Sequence, residues 1–271
     1  MKLTRIIALL LAAVVAFTLP ALSQEGPLST DQPKGITADQ IIQKFAAKEK
    51  IFKEARDHYT FRQDVRVETL DGDTVTGEYR EVFDVTYDDQ GRHLENVVFA
   101  PENTLTEILM TPEDLQDIRH TMPFVLTTEE IPEYNILYVG QQQEDELHCY
   151  VFDIAPKKID PHKRYFQGRI WVDDQDLQIV KTSGKAVPET HKKNNENLFP
   201  KFTTWRQEVD GYWFPAYTLA DDTLHFRQGT YQDVHVRDII KYTDYKRFGS
   251  KSTVTYQGEN TPPGEQKPQP K

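Results

Sequence analysis

From Tyr59 the chain alternates. In "YTFRQDVRVETL", Phe61, Val65 and Val67 recur against Arg62, Asp64, Arg66 and Glu68, a period of two that predicts a strand with one dry face. "DGD" at 71–73 is a hairpin signal. "TVTGEYREVFDVTY" then returns with Tyr79, Phe83, Val85 and Tyr87 opposite Arg80, Val82 and Asp84, and "DDQG" turns into "RHLENVVFA". Three consecutive antiparallel strands are expected.

Before them the period is helical. In "ITADQIIQKFAAKEKIFKEARDHY", Ile41, Phe45, Phe52 and Ala55 share a face, and Lys44, Lys48, Lys50, Lys53 and Glu54 occupy the other. Thr37 and Gln40 have the spacing of a capping box. This predicts an amphipathic helix that lies on something.

Residues 101–133 interrupt the meander. Thr111 reads as a cap, Pro112 as the first helical position and the following acids as the first turn of a short helix. "PFVLTTEEIPEY", with prolines at 123 and 132, resists a regular assignment. Strands are then expected at "YNILYVGQQQ", "ELHCYVFDIAP", "RYFQGRIWVD", "LQIVKTSGKAV", "KFTTWRQEVDGYWFP", "AYTLADDTLHF" and "QDVHVRDIIKYTDYKRF". So many long strands at turn-limited intervals suit a curved or barrel-like antiparallel sheet. In "LHCYVFDI" both faces are apolar: Leu147, Cys149 and Val151 on one, Tyr150, Phe152 and Ile154 on the other. Such a strand needs two covers, and the helix from Thr37 and the segment from Thr111 are candidates for one of them.

The ends read differently. Lys2 and Arg5 precede an apolar run from Ile6 to Leu19, and Ala21-Leu22-Ser23 offers small residues for cleavage, so residues 1–23 are expected to be a secretory signal. Residues 24–36 are expected to form a flexible lead-in, 37–257 a single domain and 258–271 a disordered Pro-rich tail. About 235 residues between leader and tail suit one large β-domain. Without the leader, 30 basic residues face 43 acidic ones, a net charge of −13. That charge disfavours nucleic acid as a partner. Cys149 is the single cysteine. It excludes an intramolecular disulfide, leaves no thiol after the leader to carry a lipid, and reads as buried filler.

Candidate chemistry is sparse. Three aspartates, Asp173, Asp174 and Asp176, fall in "RIWVDDQDLQIVK". Counted as a calcium loop from Asp174, the run places Val180 at the seventh position and Lys185 at the twelfth, where a glutamate is needed. The flanking strands make it a hairpin turn instead. His225 and His235 are ten positions apart across a predicted turn and face each other if it is centred between them, yet a metal would need further ligands. No catalytic residue, metal site or cofactor is expected. "ETHKKNNENLFPKF" reads as a surface loop.

The order of elements, with "YVFDIAPKK" followed by "GRIWVDDQDLQIVKTSGKA" over residues 148–187, resembles the LolA, LolB and RseB superfamily of periplasmic outer-membrane lipoprotein-sorting proteins. The resemblance implies a mainly β fold with helices (α+β): a curved antiparallel half-open barrel whose concave face the helices cover. It implies a non-catalytic periplasmic carrier for lipoprotein acyl chains or lipid, with Phe61, Tyr79, Phe83, Tyr150, Phe152 and Trp171 as cavity-wall candidates. The alternative it implies is a sensor or interaction module of the RseB kind, acting on an envelope membrane protein.

Overall fold

The computed structural model describes residues 25–248, apart from 89, 91, 194 and 230. The leader at 1–23 and the tail at 258–271 lie outside the described residues.

Helix α1 (Ala38–Arg56) starts as its sequence dictates. The Thr37 hydroxyl accepts from the Gln40 backbone amide at 3.2 Å, and the Gln40 side-chain Oε1 accepts from the Thr37 backbone amide at 2.9 Å. Its apolar face is buried through Ile41, Ile42, Phe45 and Phe52.

Among the described residues twelve strands follow, ten of them in one antiparallel sheet. They are β1 (Tyr59–Asp71), β2 (Thr74–Tyr87), β3 (His93–Phe99), β4 (Tyr134–Glu144), β5 (Leu147–Pro156), β6 (Tyr165–Asp173), β7 (Ile179–Val187), β10 (Phe202–Val209), β11 (Tyr212–Phe226) and β12 (Gln232–Arg247). The short β8 (Thr190–Lys192) and β9 (Asn195–Asn197) form a separate ribbon. The order in the large sheet is β3-β2-β1-β12-β11-β10-β7-β6-β5-β4. Its end strands do not pair with each other, so the sheet is open rather than a closed barrel.

That order has a consequence for the insertion. β3 forms one edge of the sheet and β4 the other, so residues 100–133 must travel the full width of the sheet. Ten strands at about 4.8 Å spacing span roughly 43 Å, and the connecting chain packs on the sheet as it goes. Along this path lie α2 (Pro112–Gln116), a π-helical turn (Asp117–Thr121) and a 3-10 turn (Ile131–Glu133). Thr111 and Asp114 close a second capping box at the start of α2.

The main core lies between the sheet, α1 and this crossing segment. Phe45 of α1 meets Phe152 of β5 with ring centroids 5.7 Å apart, and Phe124 of the segment stacks on Phe166 of β6 at 4.7 Å. Each such ring contributes about 1.5–3 kcal/mol by leaving water. β5 is dry on both faces, as its pattern requires. Tyr150, Phe152 and Ile154 join the main core, and Cys149 and Val151 join a small cluster with Trp171 and Val180 on the other face.

Four expectations need correction. The strand break in "KFTTWRQEVDGYWFPAY" falls at Asp210-Gly211, both with positive φ, and not at Pro215. Pro215 lies inside β11 where the register with β10 shifts, a place that tolerates a residue lacking an amide hydrogen. Residues 25–29 are no loose lead-in. The Gly26 and Ser29 amides donate to Gln143 and Gln141 of edge strand β4, both at 2.8 Å. The stretch after β7 is only partly a surface loop, since Leu198, Phe199 and Phe202 are buried. His225 lies opposite Asp233 and His235 opposite Thr223, so the two histidines do not face each other.

β6 and β7 approach closely where Gly168 faces Gly184. A Cβ on Gly184 would stand 2.3 Å from the Gln167 carbonyl oxygen and 2.7 Å from the Phe166 ring. Phe166 fills the space that two side chains would have taken.

Candidate functional site

The crossing segment leaves a cavity of about 620 Å3 against the sheet. Its floor is Val67 of β1, Ala186 of β7, Phe202 of β10, Leu224 of β11 and Val236 and Asp238 of β12. Its roof is Ile108 to Met110, α2, Ile118 and Met122. The β8–β9 ribbon and the Leu198–Pro200 stretch close one side.

Polar bonds hold this roof in place. Asp117 receives Arg164 through two contacts, Nε at 3.0 Å and Nη2 at 2.6 Å. Arg164 also donates to the Pro188 carbonyl and lies 3.9 Å from the centre of the Phe199 ring. One guanidinium thus ties the roof, the strand β6 that it precedes and the ribbon segment. The Thr204 hydroxyl of β10 donates to the Met122 carbonyl at 2.8 Å, and Asn197 of β9 donates to the Thr111 hydroxyl at 3.2 Å.

Asp238 is the site's unusual residue. It is 6% exposed and interrupts the inward-facing series Val234, Val236, Ile240 and Tyr242 along β12. Burial pushes its carboxyl up to about 7, and the charge of Asp114 adds to the effect. Asp114 is itself raised by burial, against the hydrogen bonds it accepts from Thr111. Sequence reading passed over Asp238, although an acid in the dry phase of a strand was a signal available in "DVHVRDIIKY".

The six aromatic wall candidates do not gather around this cavity. Phe83, Tyr150 and Phe152 are buried in the main core, and Phe61 and Tyr79 are partly buried against it. Phe61 lines a smaller pocket of about 240 Å3 with His93, His120 and Tyr242. Trp171 belongs to the opposite face. There it lines an open groove of about 920 Å3 with Gln142, Lys181 and Trp205. Its indole donates to Gln142 at 2.9 Å, and the Lys181 ammonium sits 4.5 Å from the Trp171 ring centre. Lys181 is almost fully buried and pairs with Glu144 at 2.9 Å and with Glu25.

The aspartates between β6 and β7 act as a turn. Asp173 accepts from the Gln175 and Asp176 amides, and Asp176 accepts from the Gln178 amide and the Trp213 indole. Leu177 completes the turn with φ of 57°. Cys149 is buried, and burial raises its thiol well above the ordinary range.

No family model and no curated protein sequence matches the chain. Among solved structures it is similar to a DUF1329 family protein from Desulfovibrio piger, with 12% identity, 78% of this chain and 93% of that one covered, and a TM-score of 0.42. It is similar to a LolA superfamily protein from Nitrosomonas europaea, with 14% identity, 79% and 94% covered, and a TM-score of 0.36. A third is a domain from Vibrio parahaemolyticus described as an outer membrane lipoprotein-sorting protein, with 10% identity, 76% and 94% covered, and a TM-score of 0.32. At these scores the likeness is one of general outline, and no residue role passes from those proteins to this one.

Proposed function

We propose that this protein is a non-catalytic carrier, exported to the periplasm, that holds an acyl chain of a lipoprotein or lipid between its sheet and the crossing segment. The observation that carries this reading is the cavity of about 620 Å3 walled by Ile108, Met110, Ile118, Met122, Leu198 and Leu224. That volume falls within the range of small-molecule sites, roughly 300–1,000 Å3. Each methylene moved from water into such walls contributes about 0.8 kcal/mol, so a long chain supplies its own driving force.

Native mass spectrometry of the gently purified protein tests the reading. The expected result is a mass adduct of lipid or acylated peptide, displaced by an acyl probe. Leu224→Trp should fill the cavity and abolish probe binding, and Ile108→Trp at the half-buried rim repeats the test if the first variant does not fold. A clean unliganded mass together with no acyl-probe binding would overturn the proposal.

A further inference from the structure

The cavity's charge is one-sided. Among the described residues its walls carry Glu107, Glu113, Asp114, Asp117, Glu196 and Asp238, and no lysine, arginine or histidine. Four of these acids are engaged elsewhere. Glu107 accepts from Thr76, Asp114 from Thr111, Asp117 from Arg164, and Glu196 from the Arg227 and Gln228 amides. Glu113 sits on the exposed first turn of α2.

Asp238 is different. It is more than nine-tenths buried, it lines the cavity, and among the described residues its carboxyl has no hydrogen-bond donor and no cation. The charge that acts on it is a second acid, Asp114. The buried guanidinium that ties down the roof, Arg164, is committed to Asp117 and the Pro188 carbonyl. A buried polar group without a partner is costly, and in a concave site it marks where a ligand's polar end belongs. A carboxylate is complemented best by a charged N–H donor. An anionic head would meet two acids and no base.

We infer that the cavity takes an amphiphile whose polar end is a protonated amine, seated on Asp238 with Asp114 as the neighbouring acid and its hydrocarbon part against Met122, Leu198 and Phe202. The inference deepens the carrier reading and rests on it, by naming the head group. It makes binding pH-dependent. The acids facing the site from the roof are Glu107, Glu113, Asp114 and Asp117, with Glu196 from the ribbon and Asp238 from the floor. Of these Asp238 is the one without a partner that titrates near neutrality, so the amine is held more tightly above pH 7 than below it.

Isothermal titration of the delipidated mature protein with dodecylammonium, dodecanol and dodecanoate, each below its micelle concentration, tests this. At pH 8 the amine should bind about tenfold or more tighter than the alcohol, the yield of one charge-assisted hydrogen bond. Asp238→Asn should bring the amine-to-alcohol ratio to about one, and pH 5 should shrink the ratio in the unaltered protein. Dodecanoate binding as tightly as the amine, or an unchanged ratio in Asp238→Asn, overturns the head-group inference and leaves the carrier reading standing. Failure of all three ligands to bind removes both. The urea midpoint of Asp238→Asn, measured alongside, establishes that the variant is folded.

Discussion

Arg206 of β10 and Glu49 of α1 form a two-pronged ion pair, Nη1 to Oε1 at 2.8 Å and Nη2 to Oε2 at 3.1 Å, with both side chains 1% exposed. The other bonds from Nη1 and Nη2 go to the Ile179 and Phe124 carbonyls. One side chain therefore joins helix, sheet and crossing segment. Breaking a buried pair from one side leaves an uncompensated charge, at a cost of about 3–5 kcal/mol. Arg206→Met should lower stability by that amount, and Arg206→Met with Glu49→Leu should recover most of it. Urea denaturation of the two single variants and the double variant closes the cycle. Additive losses would mean that the two residues do not act as a pair.

Asp238 predicts a pH dependence. Its carboxyl ordinarily titrates at 3.8 and here at about 7. Between those values the folded protein holds a proton that the unfolded chain has released, so stability falls as pH rises through the window. The loss is on the order of 4 kcal/mol, complete above pH 7 and absent below pH 4. Asp238→Asn should remove that slope and be the more stable form at pH 8. Parallel stability curves for the two proteins would count against an unpartnered buried carboxyl.

The outer face makes a prediction about residues 25–29. Burial raises the Glu144 carboxyl against the pull of Lys181, and the same ammonium holds Glu25. Lys181→Met should cost about 3 kcal/mol by stranding Glu144, and should free the segment that pairs with β4. Limited proteolysis would read this as new cleavage around residues 25–36 at a protease dose that leaves the unaltered protein intact. Lys181→Met with Glu144→Gln should recover stability but not protection.

Cys149 should resist thiol reagents. Its sulfur is buried and its thiol is held well above the ordinary range, so the thiolate that reacts is scarce. Labelling by a disulfide reagent should be slow in native buffer and rapid in denaturant. Fast stoichiometric labelling of the folded protein would contradict the packing of Cys149 with Val151, Trp171 and Val180.

Gly184→Ala should destabilise by about 3 kcal/mol, the upper range for overpacking. The added methyl has the Gln167 carbonyl and the Phe166 ring in its way, and neither backbone nor ring yields cheaply. Phe166→Leu in the same background should restore part of the loss, since it removes the ring but not the carbonyl. Thermal melts of the unaltered protein and the two variants decide it.

Local structure was legible where neighbours in sequence decide it. The capping box at Thr37, the cap at Thr111, the two dry faces of "LHCYVFDI" and the turn at Asp173–Gln178 all follow from residues a few positions apart. The cavity was not legible in this way. Its floor takes one or two residues from each of β1, β7, β10, β11 and β12, and only the strand order brings them together. The aromatic candidates lie away from that cavity for a related reason. Phe83 and Phe152 are large and apolar enough to be the core itself, and Trp171 alternates to the other face of the sheet. Alternation tells two faces apart without telling which of them holds a ligand.

The placement of the indoles has a spectroscopic consequence. Trp171, Trp205 and Trp213 are all the tryptophans in the chain, and each lies in the outer groove or the cluster beside it. Intrinsic emission therefore reports on Lys181, its acids and the bound N-terminal segment. It stays silent when a chain enters on the far side of the sheet. A titration followed by native fluorescence would register release of residues 25–29 and overlook the cargo, so loading has to be read from a label carried by the ligand.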